Sequence, residues 1–387
     1  MKHTNVFVLP VGLQLGGVTT WSLKMVEKLL GAEEAAVLLK HSEEDDQIHI
    51  PVPTGTQFLN CAGEPAYSAT INDVISYLPT YDRTLPATII PNWSAGTYAA
   101  CALLSLSKSQ FLRTIGFAHT DELDYYKWLQ YYEPIIAVFV AVSDDIGVKL
   151  GKFIPHRKDD ILIRPYAVEV RPTLSEKSSA DSPLTLVYAG RLENKQKRVF
   201  DLVNLVKHLE QGQTNFRFRI IGEGSQKAWL QNELSNLPIE VRDKISLEGV
   251  IPHANMQHVW ETADVCIIVS EYEGTSISML EAMSCGCIPV STRVSGVASV
   301  ITNGVNGFTV PIGDVLTMSQ IIENLVENRK KLQEIREQAY WTIKNRFSFS
   351  EYIPWFKQLS MLAWEKPPVQ WPAKRPILMP EMESVSS

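Results

Sequence analysis

The chain alternates short, continuous apolar runs with longer stretches in which apolar residues recur three and four positions apart. Val6-Phe7-Val8-Leu9 is the first such run, the pattern of a strand buried on both faces of a parallel sheet. It closes on Gly16-Gly17, after which Val18, Trp21, Met25, Val26, Leu29 and Leu30 predict a helix. The same reading predicts strands at 36–39, 87–90, 114–117 and 135–142, and helices near 70–78, 95–107 and 122–132. A polar stretch, 175–183, with Glu176, Lys177, Ser178, Ser179 and Asp181, interrupts the series and reads as a linker or surface loop.

A second alternating series follows, with strands at 184–189, 217–221, 245–247, 265–269 and 288–291. Its helices fall near 200–209, 225–234, 256–262, 276–283 and 315–338. Strands alternating with helices imply parallel sheets covered on both faces. The expected fold is therefore α/β, with two doubly wound, Rossmann-like domains at 1–168 and 169–346. Ligands of such sheets sit at the carboxyl ends of the strands, and two such domains facing each other place the site in the cleft between them. Aromatic residues after Arg346 predict a last helix at about 349–365. The end at 366–387 is rich in proline and is expected to be extended or disordered.

Composition changes this picture little. At 387 residues, 45% hydrophobic and 20% charged, the chain suits a globular protein of about two domains. A net charge of −7 argues against nucleic acid as a partner, although it leaves room for a local basic cleft. The five cysteines show neither zinc-type spacing nor a disulfide pattern, which fits buried thiols in a reducing cytoplasm. No run approaches the ~20 apolar residues of a spanning helix. The N-terminal run is too short and lacks the cleavage site of a signal peptide. The expected location is cytoplasmic, with peripheral contact at the inner membrane face left open.

Candidate chemistry lies at the predicted strand ends. After the strand at 265–269, Glu273-Gly274-Thr275-Ser276 runs into a helix that carries Glu281. A small-residue turn at a helix N-terminus offers backbone N–H groups to an anion. A carboxylate beside an anion site suits a ligand with both phosphate and hydroxyls, such as a nucleotide sugar. Two glutamates eight apart are by themselves ordinary surface, and context has to raise them. Gly190-Arg191-Leu192 ends the strand at 184–189, with Lys195, Lys197 and Arg198 close behind. Arginine grips a diphosphate through two parallel hydrogen bonds and lysine as a compact charge. Gly16-Gly17 lets backbone approach a phosphate, but G-x-G-x-x-G is missing, so a dinucleotide fingerprint is not present. Gly222-Glu223-Gly224 reads first as a tight turn. His119 ends a strand and could donate to a sugar hydroxyl or carbonyl.

Together these residues resemble the retaining glycosyltransferases of the GT-B fold, the group 1 family that includes bacterial mannosyl- and glucosyltransferases. The resemblance runs through Tyr188-Ala189-Gly190-Arg191-Leu192, Gln196-Lys197-Arg198, Ile220-Ile221-Gly222-Glu223-Gly224, Ala263-Asp264, Glu273 to Gly286, Pro289-Val290-Ser291 and Asn303-Gly304-Val305-Asn306-Gly307. The first domain matches more loosely, through Gly16-Gly17-Val18 and His119. The resemblance implies that Arg191 and a lysine, Lys197 or else Lys195, bind the donor diphosphate, with Gly16, Gly17, Gly190 and Gly222 close by. It gives Glu281 the ribose hydroxyls, Ile251 the base, and Glu273 the transferred sugar. Gly274, Thr275 and Ser276 would present backbone N–H groups to sugar and phosphate, His119 would touch the sugar near the reacting carbon, and the last helix would return to the first domain.

Three departures bear on the donor. Ser299 stands where the family often has a carboxylate, Thr275-Ser276 where it often has an aromatic-glycine pair, and Pro165-Tyr166-Ala167-Val168 where the interdomain segment often reads Pro-Asn-Gly-Val. The implied reaction moves a hexose from a UDP-, GDP- or ADP-sugar to a glycan, lipid-linked or small-molecule acceptor, with retention, no cofactor and no metal. Competing readings are a sugar-nucleotide epimerase, a phosphorylase carrying pyridoxal phosphate, and a catalytically silent carbohydrate- or partner-binding scaffold.

Overall fold

The computed structural model describes residues 3–9, 13, 16–41, 52, 54–61, 71–174 and 182–380. The chain forms two compact units, one of Met1–Arg164 with Ile353–Ser387 and the other of Pro165–Tyr352.

The first unit holds a parallel sheet of β1 (Thr4–Leu9), β2 (Ala36–His41), β3 (Phe58–Cys61), β4 (Ala87–Ile90), β5 (Leu112–Ala118), β6 (Ile136–Ala141) and β7 (Ile161–Ile163). Its spatial order is β3-β2-β1-β4-β5-β6-β7. The second unit holds β8 (Leu184–Ala189), β9 (Phe216–Ile221), β10 (Ile245–Gly249), β11 (Val265–Ile268), β12 (Ile288–Thr292) and β13 (Phe308–Val310), in the order β10-β9-β8-β11-β12-β13. Numbered within each unit, both follow the doubly wound order 3-2-1-4-5-6, and the first unit adds one edge strand. The order reverses beside β1 and β8, so the carboxyl ends of β1, β4, β8 and β11 flank the switch points where such sheets take ligands.

Central strands are covered on both faces, which is why they read as unbroken apolar runs. All four residues of β4 and all seven of β5 are buried. Helices meet the sheets through apolar stripes. In Phe200–Gln211, Leu202, Val203, Leu205, Val206 and Leu209 are buried and join β8, β9 and β11 in one core. Start signals follow side-chain chemistry. Ser94 caps Ala95–Lys108 by accepting from Thr97 N–H, and Ser143 caps Asp144–Phe153 by accepting from Ile146 N–H.

Several expectations need correction. The strands Phe58–Cys61, Ile161–Ile163 and Phe308–Val310 went unpredicted. Helix Asp144–Phe153 was also missed, although Ser143 followed by two aspartates is a start signal. The single helix expected at 315–338 is two, Val315–Glu327 and Arg329–Arg346. Asn328 leaves helical geometry between them (φ −116°, ψ 74°), and its side chain accepts from Lys331 N–H at 3.1 Å. The last helix spans Phe349–Glu365.

The proline-rich segment that follows is irregular but anchored. Trp371 is buried, its N–H donates to Ser105 Oγ at 2.9 Å, and Tyr131 donates to the Pro376 carbonyl at 2.8 Å. Proline limits regular pairing, and aromatic side chains fix the path instead. Residues 175–181 of the expected linker, 381–387 of the tail and Gln14 lie outside the described residues. Among the described residues, no helix is long and apolar enough to cross a membrane.

Candidate functional site

The second unit gathers charge where β8, β11 and β12 end. Glu273, five residues beyond β11, is 7% exposed, and its Oε1 accepts from Ser270 Oγ at 2.7 Å and from Lys197 Nζ at 2.5 Å. A buried carboxylate needs such donors to stay charged. Thr292, the last residue of β12, donates through Oγ1 to the Ser270 carbonyl at 2.7 Å, which fixes the serine in turn. Lys197 arrives on the turn after β8. That turn is laced to the Glu273 turn by Glu271 N–H to the Gln196 carbonyl (2.8 Å), by Gln196 Nε2 to the Tyr272 carbonyl (3.2 Å) and by Arg198 to the Glu271 carboxylate (2.7 Å). Arg198 holds φ +46° to make this bend. Of the two candidate lysines, Lys197 is the one paired with Glu273.

Arg191 sits on the same turn with its side chain 64% exposed, 3.1 Å from Glu193 and donating to Gln196 Oε1 at 2.5 Å. Its carbonyl accepts from the Tyr188 hydroxyl at 2.8 Å. Burial, and then the charges of Glu273 and Glu193, push that phenol up, so it remains a protonated donor. The nearby glycines allow backbone to meet backbone. At Gly222 (φ +142°) a Cβ would lie 1.9 Å from the Gly190 carbonyl oxygen, and at Gly224 (φ +156°) 2.4 Å from that of Leu192. Gly222-Glu223-Gly224 is thus the tight turn its sequence suggested, joining the ends of β8 and β9.

Gly274, Thr275 and Ser276 form the buried turn into helix Ile277–Ser284. Ser276 Oγ accepts from Met279 N–H at 3.3 Å, and no acidic residue in the first turn cancels the positive end of the helix. A Cβ on Gly296 would fall 1.3 Å from the Gly274 carbonyl oxygen. The 295–298 segment therefore seats the Glu273 turn, a role the sequence did not reveal. Ser299 follows that short helix, and its carbonyl accepts from Arg346 at 3.4 Å.

Glu281 lies further along helix Ile277–Ser284, its Oε1 2.9 Å from Nε2 of His253. His253 opens helix His253–Thr262, directly after the 250–252 loop that holds Ile251. Sequence reasoning missed this histidine, since nothing within its own segment pairs it with a residue 28 positions away.

In the first unit, His119 follows β5 and is 6% exposed, walled by Trp21, Phe117 and Tyr125. Burial pushes the imidazole down to about 3, so it is neutral at ordinary pH. Its Nε2 lies 3.0 Å from Asn92 Oδ1. The Asn92 amide is oriented by its own donation to the Val8 carbonyl at 2.6 Å, so Oδ1 faces the ring as acceptor and Nε2 carries the proton. The Nε2 proton of His119 is thus engaged by Asn92. Asn92, at φ +55° after β4, accepts from Tyr125 through its carbonyl at 2.6 Å. It too went unrecognised in the sequence. Gly16 precedes helix Gly17–Gly31 without a side-chain cap, and residues 10–12 and 14–15 of that turn lie outside the described residues.

Residues 170–341 match the model of the family described as glycosyl transferases group 1. That match lies within the second unit, Pro165–Tyr352. Relatives include N-acetyl-α-D-glucosaminyl L-malate synthase of Bacillus anthracis, 26% identical over 41% of this chain and 41% of that protein. Another is the amylovoran biosynthesis glycosyltransferase AmsK of Erwinia amylovora, 24% identical over 45% of this chain and 44% of that one. The chain thus spans less than half the length of these relatives.

Solved structures align over most of the chain. A variant of S. aureus TarM, in complex with UDP, α-GlcNAc-glycerol and fondaparinux, superposes at TM-score 0.75 with 12% identity, covering 94% of this chain and 100% of that one. Anabaena HepE with UDP and glucose gives 0.69 at 14% identity, covering 93% and 100%. At such identity the likeness establishes the fold, the two parallel α/β sheets of GT-B glycosyltransferases.

Proposed function

We propose that this protein is a retaining glycosyltransferase that takes a hexose or N-acetylhexosamine from a nucleotide diphosphate sugar, UDP-linked in the first instance, and passes it to a hydroxyl-bearing acceptor. The observation that carries the reading is the buried Glu273 carboxylate held by Lys197 and Ser270 beside the uncancelled positive end of helix Ile277–Ser284. A lysine, a helix terminus and an exposed arginine within two turns suit a diphosphate on which negative charge grows. A buried carboxylate suits sugar hydroxyls. The choice of uridine rests on neighbours, since TarM, HepE and the pneumococcal O-GlcNAc transferase GtfA are each described in complex with UDP.

In this reading the bond from the anomeric carbon to the diphosphate oxygen breaks, and the acceptor oxygen attacks from the same face. The acceptor's proton passes to the departing diphosphate. A lysine ammonium offers three N–H donors, of which one points at Glu273, so Lys197 can reach a diphosphate while keeping its partner. Glu281 is assigned the ribose, Ile251 the base, and Gly274, Thr275 and Ser276 the sugar and phosphate. The roles that the resemblance gives Gly16, Gly17 and His119 stand as part of the same proposal.

The test is nucleotide release by the purified protein across UDP-, GDP- and ADP-sugars, with Glu273→Gln and Lys197→Ala beside the wild type. Release from one donor, lost in both variants, is the expected result. Tight binding of a nucleoside diphosphate with no release on any donor or acceptor would sink the enzymatic reading in favour of a silent scaffold.

A further inference from the structure

His253 contacts the carboxylate assigned to the ribose, and no motif accounts for it. A carboxylate oxygen only accepts, so the 2.9 Å approach of His253 Nε2 to Glu281 Oε1 requires the imidazole to donate. The histidine is mostly covered, with 21% of its side chain exposed against 22% for Glu281. The loop it terminates is held at its other end as well. The Gly249 carbonyl, at the end of β10, accepts from Gly222 N–H at 2.8 Å. Residues 250–252 are therefore tied to the β8–β9 strand ends on one side and to the Glu281 carboxylate on the other.

We propose that His253 is a positioning residue for nucleotide recognition. Its N–H sets the rotamer of Glu281 so that the remaining lone pairs of the carboxylate meet the two ribose hydroxyls, and it couples the loop assigned to the base to that carboxylate. This rests on the donor reading above and deepens it. A carboxylate left to rotate would have to be ordered by each incoming ribose, which lowers affinity for the hydroxyls and for nothing else.

The experiment is calorimetric titration of wild type, His253→Ala and His253→Gln with UDP, GDP and ADP, each beside its 2′,3′-dideoxy counterpart. A hydrogen bond to a charged group corresponds to roughly a tenfold change in affinity or more. The Ala variant should weaken the preferred ribonucleotide about tenfold and leave its dideoxy counterpart within about twofold. The Gln variant, whose side-chain N–H can reach the same oxygen, should restore most of the loss. Equal weakening of both ligands would mean a purely structural histidine, and no weakening of either would mean no role, so both results overturn the inference alone. A wild-type protein that binds none of the three overturns the donor reading and takes this inference with it.

Discussion

Lys197 and Glu273 in the second unit, and Asn92 and His119 in the first, lie in turns beyond the carboxyl ends of neighbouring strands, the first and fourth of one sheet and the fourth and fifth of the other, in sheets with the same winding order. They are held by opposite means. The second unit uses an ion pair, with a lysine, a serine and a carboxylate fixed by backbone lacing between two turns. The first uses a neutral imidazole walled by aromatic rings, its Nε2 against the Asn92 amide. A sheet therefore supplies positions at its strand ends, and local burial decides what chemistry they can hold. Where donors converge, charge survives; where rings enclose, it is expelled.

Removing the charge on one side alone is the sharpest way to break this comparison. Lys197→Ala should cut nucleotide release by about a thousandfold, near 4 kcal/mol, because the donor acts where charge develops. A loss of only a few fold would move the diphosphate contact elsewhere. Next comes the seat of the carboxylate turn. Gly296→Ala drives a methyl into the Gly274 carbonyl and should destabilise the second unit by about 3 kcal/mol in denaturant titration. An unchanged midpoint would show that the 274–276 turn can move freely.

The first unit answers to hydrogen bonding instead. Asn92→Ala removes the partner of His119 and a donor to the Val8 carbonyl, and it places a residue poorly suited to φ +55° in that turn. About 2 kcal/mol of stability should go, read from thermal or urea unfolding.

The last test is a slope. With the folded imidazole pushed down to about 3 by burial and an unfolded value near 6.5, the unfolded state binds the extra proton between those limits. The stability held by neutral His119 is thus complete above about pH 6.5 and falls, as pH drops toward 3, by about 1.4 kcal/mol per unit. His119→Gln should lack this slope when unfolding is measured from pH 4 to 8. Parallel curves for the two proteins would show that His119 titrates normally when folded.

Much of the second unit was legible because its determinants are local. Gly222-Glu223-Gly224 is legible as a turn from three adjacent residues, and Ser276, Glu281 and the helix between them form one continuous segment. The first unit offered fewer such segments, and its family resemblance rested on Gly16-Gly17-Val18 and His119. What stayed hidden in both were partners. Lys197 and Glu273 are 76 residues apart, His119 and Asn92 are 27 apart, and His253 and Glu281 are 28 apart. Glycine at 296 has no meaning until the Gly274 carbonyl is set against it.

Apolar periodicity, strand-end glycines and the E-x7-E spacing of Glu273 and Glu281 are properties of neighbouring residues, so the sequence by itself determined the α/β class, the two sheets and most of the residues assigned to donor binding. Which side chains meet depends on the order in which strands lie side by side, and that order is a product of the whole sheet. The tertiary structure alone therefore decided that Lys197 pairs with Glu273, that burial keeps His119 neutral while its Nε2 meets Asn92, and that His253 reaches Glu281.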